Sequence, residues 1–554
     1  MMALYLILTV LVIAGLVWVH RRLTRFVPNG RVHSMKRRAH LRMRVSRGTA
    51  TALEIVIRMG QLPAYRKSKR IRPSLSAWQR LTRPNSHSAR IGRAQRGMAI
   101  RESYESAILL EGPPRSGKSG LISSLILNHD GPVLSTSTKP DMHSLSSGVR
   151  SKLGPLAVFC PAGTGGLKST FAWSPTSGCR NPQVATRRGI AFAGAVSTKG
   201  TDASDNFWSS QAAEFLSAAM MAADIAGGDL RLVHRWLQGS AEDAEAILHA
   251  AGAHDQAMSL AHLRSPAEKT TATVKLILNK GLSFLGDSEL AASVIPDGPE
   301  FDIPAFLASN GTLYMIASGS EESPTAPVFA ALATEVFYQS LMIGRAMPGQ
   351  RLDAPIRFAL DELCTICPVP VAEWMSDAGG SGVTIAIGCH SDDQLKMKFG
   401  AEATGAIHGC AGTQVLFPGI SDKTMLETAS KICGDFMQRA RGSEHVTNHP
   451  IFSESMIRQI PDQFGLVIKG NCSPTLAKIE RGWKQSSYRR AKRRGEAVAV
   501  LQPVSAPAAV PAASQPAVDQ PSGLPDPLGE LLADSLADVA SEPERVPASN
   551  PWGV

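Results

Sequence analysis

The sequence predicts a mixed α/β protein with an all-helical insertion, one apolar N-terminal helix and an unstructured C-terminal tail. Three observations carry that expectation. Apolar runs of strand length alternate with amphipathic segments over most of the chain. Between about residues 183 and 290 the strand signals stop, and alanine, leucine and charged residues dominate. The two ends differ in composition from everything between them. At 554 residues the chain is too long for one core, and a hydrophobic content of 44% argues against a polytopic membrane protein.

Met2 to Val19 holds no charged residue. Its eighteen residues reach about 27 Å as a helix, enough to span a bilayer. Trp18 stands where an interfacial aromatic belongs, and His20, Arg21, Arg22 and Arg25 follow at once. A signal peptide carries its charge ahead of the apolar run and small residues at a cleavage site after it, and neither is present. The reading is a retained single-pass anchor in the cell (plasma or inner) membrane, with the body in the cytoplasm.

Residues 20–100 read as a basic juxtamembrane segment. From Arg21 to Arg101 there are 22 Lys or Arg against one acid, Glu54, whereas the rest of the chain carries 36 Lys or Arg against 46 acids. Such a block suits an anionic surface, either lipid headgroups or nucleic acid, or simply orients an anchor. Ala52 to Met59 is expected to form a short amphipathic turn or two.

Strands are expected at Ala107–Leu110, Pro132–Ser135, Leu156–Cys160, Thr312–Ala317, Ile356–Leu360, Thr384–Gly388 and Gln414–Phe417, with a last pair near Gly465–Lys469 and Leu476–Ile479. They define one α/β domain over 101–182 and 291–485, interrupted by an all-α domain over 183–290. There Phe215, Ala218, Ala219 and Ala222 recur at helical spacing, as do Leu232, Arg235 and Trp236. A second basic run, Arg489 to Arg494, ends the body. From 495 to 554 Pro, Ala, Ser and Gln dominate, a composition that cannot bury enough surface to fold. Leu528, Leu531, Leu532, Leu536 and Val539 mark a short acidic amphipathic stretch within it, either transient helix or a docking peptide.

The most specific motif is Gly112-Pro113-Pro114-Arg115-Ser116-Gly117-Lys118-Ser119, which fits G-x-x-x-x-G-K-[ST] between an apolar strand and the helical run Leu121–Leu127. Gly112 and Gly117 let backbone amides turn inward around phosphates, Lys118 brings charge to the outer phosphates, and Ser119 offers its hydroxyl to Mg²⁺. Gly120 completes the loop at the helix N-terminus, whose dipole favours anions. A second motif ends the strand Ile356–Leu360 in Asp361 and Glu362. Asp361 would reach Mg²⁺ and Glu362 would position or activate water against a γ-phosphate. The expected cofactors are ATP and Mg²⁺, with Ser119 and Asp361 as metal ligands. Of eight cysteines only Cys364 and Cys367 form a CxxC, no second pair stands at zinc spacing, and packing is the expected role.

With these motifs on one chain, the sequence resembles the type IV secretion coupling proteins, the TraG/TraD-like ATPases of conjugation, from about residue 100 to 485. The resemblance is carried by the phosphate loop, Ser135 to Asp141, Asn206-Phe207-Trp208, Leu360-Asp361-Glu362-Leu363, Gly382, His390-Ser391, and Ile460-Pro461 with Pro474. It implies a RecA-like P-loop NTPase domain and a homo-hexameric ring. It also implies partners: a relaxase on single-stranded DNA, and the proteins of the secretion channel. The chain departs from the family in having one apolar span, in lacking an arginine ahead of Gly382, and in placing His390 where the family has a Gln resembling a γ-phosphate sensor. His390 still donates a hydrogen bond, so it stands beside Lys118, Asp361 and Glu362 as a candidate catalytic residue. Two other readings remain open at this level: an FtsK-like double-stranded DNA translocase, and a substrate-docking scaffold with weak ATPase activity.

Overall fold

The computed structural model describes residues 48–94, 97–196, 203–239, 241–262, 268–295, 300–317, 324–439 and 446–499. The expected membrane helix at 2–19, the first part of the basic segment and residues 500–554 of the expected tail lie outside them.

Thirteen strands are present among the described residues: β1 Ser88–Arg93, β2 Ala99–Ser103, β3 Ala107–Glu111, β4 Val133–Ser137, β5 Leu156–Phe159, β6 Thr312–Ile316, β7 Ile356–Leu360, β8 Val383–Cys389, β9 Ala411–Leu416, β10 Asp435–Arg439, β11 Val446–Pro450, β12 Phe464–Lys469 and β13 Thr475–Ile479. Eleven make one sheet in the order β2-β1-β13-β12-β9-β3-β8-β7-β4-β6-β5, and β10 pairs with β11 alone. The stretch from β9 to β5 is parallel. Its central strands β3, β7 and β8 are buried along their whole length, so they read as continuous apolar runs rather than alternations. From β12 to β2 the pairing is antiparallel, as hairpin connections permit.

Helix α1 (Lys118–Leu127) follows β3 and α2 (Asp141–Arg150) follows β4. They cover one face, over a core that includes Leu121, Ile122, Leu125, Ile126, Val158 and Tyr314. Arg150 is fully buried there. It donates to Thr312 Oγ1 at 2.8 Å, to the carbonyls of Gly131 at 2.7 Å and Asn310 at 3.2 Å, and to the His129 carbonyl. One side chain thus satisfies loop carbonyls that neither strand nor helix can serve.

Between β5 and β6 the described residues form only helices and irregular segments, among them α3 (Pro182–Val196) and α4 (Ala203–Ile225). The expected Phe215, Ala218, Ala219 and Ala222 are all buried. Gly189 lets α3 and α4 approach closely, since a Cβ there would lie 2.5 Å from the Ala213 carbonyl. This insertion shares one apolar core with the second face of the sheet through α5 (Ala326–Ala346). Among the described residues α5 alone is long and apolar enough to cross a membrane, and it is a mostly buried core helix. Arg188 of the insertion pairs with Glu335 of α5 at 3.4 Å within that core.

Two boundaries differ from the sequence reading. The segment 20–100 is not all juxtamembrane collar: Gln61–Ile71 and Ala77–Thr82 are helices, and β1 and β2 extend the main sheet. Its arginines hid the strand pattern because their partners lie far away in sequence. Arg90 meets Glu480 at 2.9 Å, and Arg72 meets Asp353 at 2.6 Å. Part of the charge expected to face lipid or DNA is therefore used inside the fold. At the other end, residues 495–499 do not leave the body at once. The Gly148 amide donates to Ala497 O at 3.3 Å, and the Ala499 amide donates to Ser147 Oγ at 3.1 Å.

Replacing Arg150 with Met removes four donors and strands buried carbonyls. The expected cost is about 2–4 kcal/mol, seen as a fall of several degrees in the thermal unfolding midpoint of the purified chain. An unchanged midpoint would show that water or neighbouring donors serve those carbonyls instead.

Candidate nucleotide site

Strand β3 lies between β8 and β9, and its carboxyl end runs directly into the loop Gly112–Gly117. Two glycines make that loop possible. Gly117 takes φ +117°, and Gly112 leaves room where a Cβ would meet Phe417 Cβ at 2.7 Å. Arg115 also adopts a positive φ of 64°, at the exposed tip beside Pro114. Pro113, Ser116 and Gly117 are half-buried, and Gly120 is buried in the first turn of α1.

The parallel register carries the second motif to the same place. Leu360 of β7 stands opposite Ile387 of β8, and Glu111 of β3 stands opposite Cys389. Asp361, Glu362 and His390 therefore emerge beside Lys118 and Ser119. Ser119 Oγ donates to Asp361 Oδ2 at 2.7 Å, and Thr136 of β4 holds the Asp361 carbonyl at 2.8 Å. Asp361 Oδ1 is buried and accepts no hydrogen bond. Gly388 makes space for it, because a Cβ there would come within 2.8 Å. Burial pushes the Asp361 carboxyl up to about 6, against the Ser119 hydrogen bond and the Lys118 charge. An orphaned carboxylate oxygen beside a serine hydroxyl fits a hard divalent cation such as Mg²⁺, which takes oxygen ligands.

Lys118 Nζ donates to the Gly112 carbonyl, to the Pro113 carbonyl at 3.1 Å and to His390 Nδ1 at 3.0 Å. An ammonium can only donate, so Nδ1 accepts and Nε2 carries the proton. That Nε2 lies 3.1 Å from Glu362 Oε2. Burial works to raise the Glu362 carboxyl, but the His390 hydrogen bond and the charges of Lys118 and Lys139 outweigh it and hold it below its ordinary value. Burial likewise lowers Lys118, with Asp361 and Glu362 opposing. Glu362 itself sits at φ +56°, in the left-handed region that non-glycine residues seldom occupy. That turn aims its carboxylate back across the loop toward His390.

All residues singled out from sequence at this site thus converge: the loop 112–120, Lys118, Ser119, Asp361, Glu362 and His390. Gly382 has a backbone reason, since it enters β8 at φ +83° with a Cβ position 2.6 Å from the Leu352 carbonyl. Cys364 and Cys367 stay apart from this chemistry; burial pushes both thiols up, and Cys367 Sγ faces the Phe329 carbonyl at 3.6 Å.

Two groups escaped the sequence reading. Arg481 and Trp483, just after β13, lie against the first turn of α1. No motif marks them, and only the β12–β13 hairpin brings them there. The other group is Glu111, Asp392 and His408. His408 Nε2 donates to Asp392 at 2.8 Å and lies 3.5 Å from Glu111 Oε1. Burial pushes the Glu111 carboxyl up to about 8, so at neutral pH it is mostly protonated and donates to Asp392.

A family model for the type IV secretion-system coupling protein DNA-binding domain matches residues 168–445. The chain belongs to this family. The match covers the helical insertion, Asp361, Glu362 and His390, and the phosphate loop precedes it. Solved structures of a bacterial conjugative coupling protein share the fold. The unbound monoclinic form of TrwBdeltaN70 is 17% identical, with a TM-score of 0.54 over 72% of this chain and 91% of that one. The trigonal form in complex with sulphate is 16% identical, with a TM-score of 0.51 over 69% and 87%. TrwB in complex with the ATP analogue ADPNP is also 16% identical, with a TM-score of 0.50 over 69% and 88%. No curated protein sequence matches the chain.

Glu111 supplies a test of the buried cluster. Its folded-state pKa of about 8 lies above the ordinary value of 4.5, so the folded protein retains a proton that the unfolded chain gives up. That stability is complete below pH 4.5 and is lost as pH rises through 8. The unfolding midpoint of the wild type is expected to fall between pH 6 and about 8.5 more steeply than that of Glu111→Gln. Parallel curves would show that Glu111 is not protonated in the fold.

Proposed function

We propose that the chain is a membrane-anchored ATPase that couples hydrolysis to the recruitment and transfer of relaxase-bound single-stranded DNA, with accompanying protein, through a type IV secretion channel. It acts as a homo-hexamer with its body in the cytoplasm. The single observation that carries the enzymatic half is the convergence of Ser119 on Asp361 and of Lys118 on His390 and Glu362. Family membership supports the DNA-transfer half.

In this reading Ser119 Oγ and Asp361 would hold Mg²⁺, which would supply positive charge to the outer phosphates. The loop amides of Gly112–Gly120 bind the phosphates. Lys118 exchanges the Gly112 and Pro113 carbonyls for phosphate oxygens, which are stronger acceptors. Glu362, held in its charged form, accepts a proton from water or fixes its orientation. His390, its Nε2 proton already aimed at Glu362, orients that carboxylate and can turn toward the γ-phosphate. The intact Lys118–His390–Glu362 chain speaks against a scaffold that has lost hydrolysis. The histidine here fills by another geometry the place the family gives to glutamine.

The full chain is expected to show weak basal ATP hydrolysis, stimulation by single-stranded DNA, and a loss of at least about 100-fold in Lys118→Ala and Glu362→Gln. Equal turnover in wild type and Lys118→Ala would remove the motor. Stronger stimulation by duplex would replace the single-strand reading with a double-stranded DNA translocase.

A further inference from the structure

The groups that act on the γ-phosphate lie on one side of the phosphate loop, at the ends of β7 and β8. On the other side of β3 lie β9, β12 and β13. The segment leaving β13, Glu480-Arg481-Gly482-Trp483, crosses the first turns of α1. It fits there through small residues. A Cβ on Gly482 would sit 2.3 Å from Ser123 Oγ, one on Gly120 would sit 2.8 Å from the Trp483 ring, and one on Gly117 would sit 3.6 Å from a guanidinium nitrogen of Arg481. The segment is pinned from both flanks. Gln485 Nε2 donates to Ser124 Oγ of α1 and to Glu480, each at 2.8 Å, and Arg90 of β1 holds Glu480 at 2.9 Å.

Two side chains of this strap keep a face open to solvent. Trp483 is 38% exposed although it lies against a buried glycine. The Arg481 guanidinium is half-buried, stands over the Trp483 ring at 5.6 Å, and has neither an ion pair nor a hydrogen-bond acceptor among the described residues. It is also placed beside the N-terminus of α1, where the helix dipole favours an anion over a cation. Asp462 favours the charged guanidinium from one side, and an anion in the loop would do so from the other.

The geometry points to Arg481 and Trp483 as the nucleoside end of the site, with the Arg481 guanidinium on the α-phosphate side and the Trp483 indole as the stacking wall for a purine base. The loop amides take the α- and β-phosphates and Lys118 the β- and γ-phosphates, so the base must leave the loop on the side away from Asp361 and Glu362. An indole discriminates by contact area and not by hydrogen bonding, so purines are favoured over pyrimidines. This subsite rests on the nucleotide reading of the phosphate loop above.

The test compares ATP with inorganic tripolyphosphate, which has the charges but no nucleoside. Binding of each, with Mg²⁺, is measured by calorimetry on the detergent-solubilised full chain as wild type, Trp483→Ala, Trp483→Phe and Arg481→Ala. The expected result is an ATP affinity reduced about tenfold in Trp483→Ala, largely restored in Trp483→Phe, with tripolyphosphate binding unchanged in both. Arg481→Ala weakens both ligands. ATP binding at wild-type strength in Trp483→Ala would overturn the subsite, as would an equal loss of both ligands, which would mark damage to the loop. A wild type that binds neither ligand would overturn the nucleotide reading itself.

Discussion

Everything at the site depends on one contact, the 2.7 Å hydrogen bond from Ser119 to Asp361 that leaves the second Asp361 oxygen buried and unpartnered. A carboxylate in that position is costly unless a cation or a proton completes it. The sheet exists to hold it there. Strand β8 separates β3 from β7, and its Gly388 is the notch that admits the Asp361 side chain. A slip of one residue between β7 and β8 would turn Asp361 to the opposite face and bring a side chain into the notch. The long run of fully buried apolar residues along these strands is what makes such a slip prohibitive.

The second layer is the relay from Lys118 through His390 to Glu362. It joins three separate loop ends, and Glu362 keeps a left-handed backbone to take part. A strained residue at the mouth of a strand is sustained only when its surroundings over-determine it, as they do here through Thr136, Lys139 and His390. The helical insertion and α5 add no group to this cluster. They bury the other face of the sheet in a common core with it.

Much of this was legible in the sequence. The nine expected strands all form, most of them because parallel strands buried on both faces leave apolar runs that need no partner to be recognised; β12 and β13 are instead an antiparallel hairpin. The phosphate loop and Asp361-Glu362 were legible because their chemistry is local: two glycines, a lysine and a serine at fixed spacing, and two acids at a strand end. What was hidden depends on distant partners. Strands β1 and β2 read as a basic collar because the acid that quiets Arg90 is Glu480, at the opposite end of the chain. Glu111, one residue past the expected strand, carried no signal, because Asp392 and His408 meet it only in the fold. Arg481 and Trp483 carry no motif at all, and a hairpin alone delivers them.

The central claim is that Asp361 is the protein's own ligand for Mg²⁺. Its carboxyl, raised by burial to about 6, must lose a proton before it can bind the ion. The most direct measurement is the Mg²⁺ dependence of ATP-analogue binding across pH 5 to 8 in wild type and Asp361→Asn. The account predicts Mg²⁺-enhanced binding that is full above about pH 7 and declines as pH falls through 6 in the wild type, and that is weak and flat in Asp361→Asn. Enhancement by Mg²⁺ of equal size and equal pH dependence in the two proteins would contradict it.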